Sequence, residues 1–264
     1  MDVATALDLL EQETAGLDAV VAATDDDAWA LPTPSPGWTV GHQIGHLHWT
    51  DSVALLAVTD PDAFDRAAQA MRPGAVDDLA AEQAKRPRAQ LLADWRRDRD
   101  GLHRALSAAD PAVKLPWFGP PMRPITMTTA RIMETWAHGL DVCDGLGVRK
   151  EPTPALAAVA RIGYRTRAFA YTINGREVPE TDVHVRLDMP DGSVLEFGEP
   201  DSPQRITGTA DAFCRVVTQR RNIADVALDI TGEDAAAWMD IAQAFAGGPS
   251  AGPRPGERVQ PHDQ

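Results

Sequence analysis

Apolar residues recur at helical spacing in four stretches of the first half of the chain. Leu7, Leu10, Leu17, Val20 and Val21 predict a helix over Val3–Ala23, which stops in the acidic run Asp25–Asp27. Pro32, Pro34, Pro36 and Gly37 then make a rigid loop, and Thr39 is placed to cap a second helix reaching Val58. A third helix follows Pro87, carries Leu91, Leu92, Trp95, Leu102 and Leu106, and breaks at Asp110-Pro111. After the proline-rich loop Trp117–Pro121 a fourth runs from Ile125 to Leu146 and ends at Gly147. Four helices of similar length with modest connections predict an antiparallel four-helix bundle over residues 1–147.

The pattern changes at Val148–Pro154, which reads as a linker. One helix is predicted over Ala155–Tyr171, and then the period falls to two. Val183, Val185 and Leu187 alternate with His184, Arg186 and Asp188, and Pro190-Asp191-Gly192 turns the chain into Val194, Leu195 and Phe197 as a hairpin. A helix at Ala210–Arg220, a strand at Val226–Ile230 and a helix at Ala235–Phe245 complete a small α+β domain over residues 155–246. Residues 247–264 are rich in Gly and Pro and are expected to form a disordered tail. The fold class expected is therefore α+β in two domains.

Charge narrows the partners. Thirty-nine acidic side chains stand against 25 Lys and Arg, a net charge of −14, and no basic run interrupts that field. Nucleic acid is an unsuitable partner, and so is an anionic membrane surface. Cys143 and Cys214 fit no disulfide framework or metal spacing, the first residues have no basic signal-peptide start, and no spanning apolar stretch occurs. A soluble, cytoplasmic protein is expected, with nothing that demands more than a monomer.

Two stretches hold candidate chemistry. In Trp38-Thr-Val-Gly-His42-Gln-Ile-Gly-His46-Leu-His48-Trp49, the residues His42, His46, Trp49, Val53 and Leu56 fall on one helical stripe. His46 is then either a core histidine satisfied by one hydrogen bond or a ligand facing the bundle interior. His42, one turn earlier, either packs, touches substrate or holds a neighbouring ligand. In Met133-Glu134-Thr-Trp136-Ala-His138-Gly-Leu140, Glu134 and His138 are four apart and share a face. The apolar stripe of that helix, Ile132, Met133, Trp136 and Leu140, points elsewhere, so spacing alone favours an exposed polar pair. Asp141 reads as a solvated helix charge or an orienter of His138, and His48 as packing. Gly45 and Gly139 either allow a close approach or are neutral packing residues.

The phrase GWTVGHQIGHL followed by ETWAHGLD resembles the DinB-like metal-binding bundle. Among its branches the chain is most similar to the mycothiol-dependent maleylpyruvate isomerases and their uncharacterised metal-binding relatives. That resemblance implies a divalent ion, commonly zinc, held by His46, Glu134 and His138, and a second domain resembling sterol carrier protein 2. It also implies an arginine that holds an anionic substrate, which falls on Arg220 in Val216-Val-Thr-Gln-Arg220-Arg221. Here Gln219 replaces the family's glycine, and a surface cation at a helix end is the alternative.

Two imidazoles and a carboxylate suit zinc, nickel, iron or manganese, and they leave a position open for water or a thiol such as mycothiol. The activity implied is a metal-dependent isomerase or thiol S-transferase acting on a small electrophile, with His42 and Arg220 as candidate catalytic residues. The alternatives are a small-molecule binding or sequestration protein without turnover, and a thiol-independent hydrolase or cyclase. The apolar loop at Trp117, Phe118, Pro120 and Pro121 either walls a pocket for a larger, less charged ligand or caps the bundle.

Overall fold

A computed structural model describes residues 1–72 and 74–260 and divides the chain into two compact units, Met1–Lys150 and Glu151–Gln264. The first unit is helical. Its long members are α1 (Val3–Ala22), α3 (Val40–Thr59), α6 (Arg88–Ala108) and α7 (Pro124–Leu146). Helices α1 and α3 each pack against both α6 and α7, so every long helix has two long neighbours. One apolar cluster joins Leu17, Val21, Ile44, Leu47, Leu91, Trp95 and Val142. A second joins Leu7, Ala54, Leu102, Leu106, Leu115 and Met127. The caps are local: Asp2 accepts from the Thr5 N–H at 2.8 Å, and Gly147 closes α7 at φ +67° in the left-handed region that glycine tolerates.

Three short helices were not anticipated. Helix α2 (Asp26–Trp29) occupies the acidic run, and α4 (Pro61–Ala70) and α5 (Ala75–Ala84) fill the stretch before Pro87. Each of the last two buries very little, Phe64 in α4 and Ala75 and Ala80 in α5. That is too few large apolar side chains to produce a readable period. Helix α5 lies so close on α3 that a Cβ at Gly45 would meet the Gln83 Cβ at 2.6 Å.

The second unit carries a four-stranded sheet in the order β2-β1-β3-β4, with β1 (Val183–Asp188), β2 (Val194–Phe197), β3 (Gln204–Thr209) and β4 (Leu228–Thr231). Strand β1 is antiparallel to β2 and parallel to β3, and β3 is antiparallel to β4. Val183, Val185 and Leu187 are fully buried, as their alternation predicts. Strand β3 escaped notice because Ile206 is its only fully enclosed side chain. The helix predicted over Ala155–Tyr171 is two, α8 (Leu156–Arg165) and α9 (Arg167–Ile173), which meet at Thr166. Helices α10 (Ala210–Val217) and α11 (Glu233–Met239) are shorter than predicted and pack on β3.

The expected disordered tail needs correction over residues 247–260. Gln219 Nε2 donates to the Ser250 carbonyl at 3.0 Å, Asn222 Nδ2 to that of Pro253 at 2.8 Å, and the Gly256 N–H meets both carboxylate oxygens of Asp225 at 2.9 Å. Fixed polar side chains satisfy this backbone, so a segment with little apolar surface is still ordered. The rest of the expected tail, 261–264, lies outside the described residues.

Candidate metal centre

The centre is built where α3 meets α7. Thr39 and His42 form a capping box that starts α3: the His42 Nδ1 accepts from the Thr39 N–H at 3.3 Å and lies 2.8 Å from its hydroxyl. The loop before it is closed by a bridge between Pro32 and Thr39, with the Thr33 N–H donating to the Trp38 carbonyl at 2.8 Å. Ser35 in that loop donates to Asp141 at 3.0 Å. Asp141, expected as a solvated helix charge, is fully buried and pins the loop.

On α3 the side chains of Gln43 and His46 fall one turn apart, and on α7 those of Glu134 and His138 do the same. The two pairs meet. His46 Nε2 lies 3.2 Å from Glu134 Oε2, and His138 Nε2 lies 3.3 Å from the same oxygen. The imidazole centroids are 4.4 Å apart at 45°. One donor atom from each of His46, Glu134 and His138 falls within 4.8 Å of the others. Four ligands at zinc's bond lengths of ~2.0–2.1 Å stand about 3.4 Å apart around a tetrahedron, so these separations fit one ion shared by three donors.

The surroundings prepare the donors. Gln43 is fully buried, and its Oε1 lies 2.6 Å from the His138 Nδ1 while its Nε2 donates to the Thr33 hydroxyl at 2.8 Å. That chain fixes the amide orientation and gives the proton on the His138 Nδ1 its acceptor, so Nε2, which faces Glu134, is the nitrogen that can bind an ion once it gives up its own proton. The Nδ1 of His46 is buried with no hydrogen-bond partner among the described residues, so, unlike His138, this ring has no polar group on its far nitrogen. Burial opposes the charge of Glu134 most strongly. Hydrogen bonds from His138 and His46, with the Arg131 charge, outweigh it and hold the carboxyl well below the usual range. A divalent ion here would keep a net charge of about +1 and an open position, as catalytic sites do.

Aromatic rings flank the donors. Trp38 stacks on His138 with centroids 5.8 Å apart at 19°, and its Nε1 donates to Asp77 at 2.9 Å. Trp49 lies 6.0 Å from His46. Arg131 is 3% exposed, with Nη2 3.9 Å from Glu134 Oε1 and Nη1 4.0 Å from Asp51 Oδ1. Burial pushes the Asp51 carboxyl up, against the pull of Arg131 and the Trp95 N–H.

The structure therefore brings His46, Glu134 and His138 together and does not add His42 to them. His42 spends its Nδ1 on the helix cap, and burial lowers its pKa. The task of holding a ligand imidazole falls to Gln43, which the sequence reading passed over. The available signal was its position three residues before His46 on the same helix face. Arg220 belongs to the second unit, where its Nη1 donates to the Thr218 carbonyl at 2.8 Å. The Gln219 beside it takes φ +57° in a turn where the Arg220 N–H bonds the Arg215 carbonyl at 2.8 Å. That is the left-handed position a glycine ordinarily fills after a helix. Gly139 is a neutral packing residue, for a Cβ there would meet Leu17 only at 3.6 Å.

Comparison with known proteins agrees with this architecture. The family described as the mycothiol maleylpyruvate isomerase N-terminal domain matches residues 10–143. Two uncharacterized proteins from two strains of Mycobacterium tuberculosis are each 50% identical over 246 residues, 92% of this chain and 96% of theirs. Crystal structures of the mycothiol-dependent maleylpyruvate isomerase and of a mutant of it superpose with a TM-score of 0.57 at 16% and 15% identity, covering 82% of this chain and 88% of theirs. That share exceeds what the first unit alone supplies, so the likeness in fold extends into the second. No helix among the described residues is long and apolar enough to cross a membrane. With the family match spanning α1 to α7 and half of the 246 aligned positions shared with the mycobacterial proteins, the chain belongs to the family of the mycothiol maleylpyruvate isomerase N-terminal domain.

Proposed function

We propose that this protein is a metal-dependent, thiol-using enzyme of the isomerase or S-transferase type that acts on a small electrophile, with mycothiol as the thiol. On this reading the four long helices are a DinB-like bundle, the second unit is a domain like sterol carrier protein 2, and the enzyme works as a cytoplasmic monomer. The observation that carries the proposal is the convergence of two imidazole nitrogens and one carboxylate oxygen within 4.8 Å. Zinc heads the candidate ions, with nickel, iron and manganese also suited to the ligand set.

A divalent ion held there would act as a Lewis acid that lowers the pKa of a thiol or water toward neutrality. The chain's own side chains do the rest. Glu134 supplies the anionic donor, Gln43 aims the His138 lone pair, and Trp38 shields one side of the imidazoles from water. Neither cysteine is available as the nucleophile: Cys143 and Cys214 are both buried, and burial raises the Cys214 thiol well above its ordinary value. The sulfur must therefore come from a co-substrate. Its thiolate adds to an activated double bond, the adduct turns about the former double bond, and expulsion of the thiolate returns the isomer. Retention of the sulfur gives transfer instead. By resemblance to the isomerases, Arg220 would hold an anionic group of the substrate.

The test is single-turnover reaction of the purified protein with mycothiol and an unsaturated electrophile such as maleylpyruvate. Isomer or thioether should form in the metal-loaded protein, and His46→Ala should lower the rate by at least about 100-fold, the scale of losing a main electrostatic contributor. Product formation at the same rate in His46→Ala would overturn the proposal.

A further inference from the structure

A row of aromatic rings leads away from the candidate centre and uses residues the mechanism has left idle. From His46 the row passes to Trp49 at 6.0 Å and from Trp49 to Phe118 at 5.9 Å and 30°. Phe118 in turn meets Phe64 and Trp117, each at 5.2 Å. The base of this row is rigid. Trp117 stacks on Phe64 at 5.8 Å and 15°, and the Arg131 guanidinium lies over its ring at 5.5 Å. Phe64 is 1% exposed and is the sole buried residue of α4. The loop that carries Trp117 and Phe118 is closed at its neck by Leu115 and Met122, whose backbones exchange hydrogen bonds at 2.8 and 2.9 Å.

Capping the bundle accounts for Leu115 and Trp117, which are enclosed or half-enclosed. It does not account for Phe118, which is 44% exposed at the end of a pinned loop. A ring held in water by a rigid mount is surface ready for another ring, because the cost of ordering it has already been met. The guanidinium over Trp117 is 3% exposed, so it presents no accessible charge to a ligand.

We propose that Phe118 and Trp49 form a subsite for a flat aromatic group of the substrate, adjoining the metal centre. The inference rests on the reading of that centre as the reactive site, and it narrows the electrophile to one bearing an aromatic or similarly planar, uncharged portion. A small aliphatic dianion would gain nothing from this wall.

The experiment is calorimetric titration of the full chain with 2-naphthalenemethanol and with its fully saturated counterpart, which has similar apolar area and no π face. In the parent the aromatic probe should bind about 3- to 10-fold more tightly, the range expected of ring stacking beyond area burial. Phe118→Leu keeps an apolar side chain on an exposed loop and should remove that preference while leaving the saturated probe's affinity within about 2-fold. Equal affinities in the parent, or a preference that survives in Phe118→Leu, would overturn the subsite. Metal content is measured on the same samples. A chain that binds no metal yet keeps the Phe118-dependent preference would sink the reading of the centre and leave the aromatic subsite standing. A metal-replete chain without the preference would do the reverse.

Discussion

On the side of α3 that meets α5 and α6, His48 gives both ring nitrogens away: Nδ1 lies 3.1 Å from Gln83 Oε1 and Nε2 3.0 Å from Asp98 Oδ2. On the side that meets α7, His46 and His138 each turn Nε2 toward one oxygen of Glu134. The residue types are the same on both sides, namely histidine, glutamine and a carboxylate. The difference lies in convergence. His48 faces its carboxylate as the lone imidazole, whereas on the α7 side two imidazoles aim at one oxygen of Glu134 and the glutamine holds the far nitrogen of His138. A buried histidine is structural when it meets its carboxylate alone, and it becomes a candidate ligand when a second imidazole converges on the same oxygen.

That contrast can be broken or sharpened by substitution. Gln43→Leu keeps the volume and removes the acceptor on His138, so metal affinity should fall about 10- to 100-fold in competitive chelator titrations. An affinity unchanged by this substitution would show that the amide does not prepare the imidazole. His48→Ala should do the opposite. It should cost about 1–3 kcal/mol in denaturant unfolding, because Asp98 and Gln83 lose a buried partner, and leave metal content intact. Loss of metal in His48→Ala at full stability would erase the distinction between the two sides.

The smallest effect concerns Asp51, which faces Arg131 behind the centre. Its folded pKa is raised by burial above the ordinary 3.8, so the fold favours the protonated carboxyl. The unfolded chain releases that proton first, and the parent loses stability as pH rises above that ordinary value. Asp51→Asn keeps an oxygen for the Trp95 N–H, which donates at 3.0 Å, and cannot ionise. The variant should gain on the parent by thermal unfolding as pH rises from 4 toward the raised folded pKa. A stability difference that is flat with pH would refute the assignment.

Helices α1, α6 and α7 were legible because an apolar run meets a stop (Asp25–Asp27, Asp110-Pro111 and Gly147), and α3 because a proline-rich loop and Thr39 mark its start. The short helices and β3 were not, since Phe64, Ala80 and Ile206 mark elements whose burial is too slight to stand out against the chain. The donor set shows a different limit. The stripe through Ile132, Met133, Trp136 and Leu140 turns Glu134 and His138 outward only if one side of α7 is exposed. In fact α7 is buried on nearly every side, including Thr128, Arg131, Thr135 and Asp141, so the period carries little information about which way is in. Only the motif resemblance picked out the three residues. Gln43 went unnoticed because its role depends on Thr33 and His138, ten and 95 positions away.

The central claim is that three side chains hold one cation, and metal analysis of the purified protein beside His46→Ala, Glu134→Ala, His138→Ala and His48→Ala tests it most directly. The account predicts close to one equivalent of a divalent metal in the parent and in His48→Ala, with little or none in the other three. Undiminished metal in the three triad variants, or a parent free of metal after purification and reconstitution with zinc, nickel, iron and manganese, would contradict it.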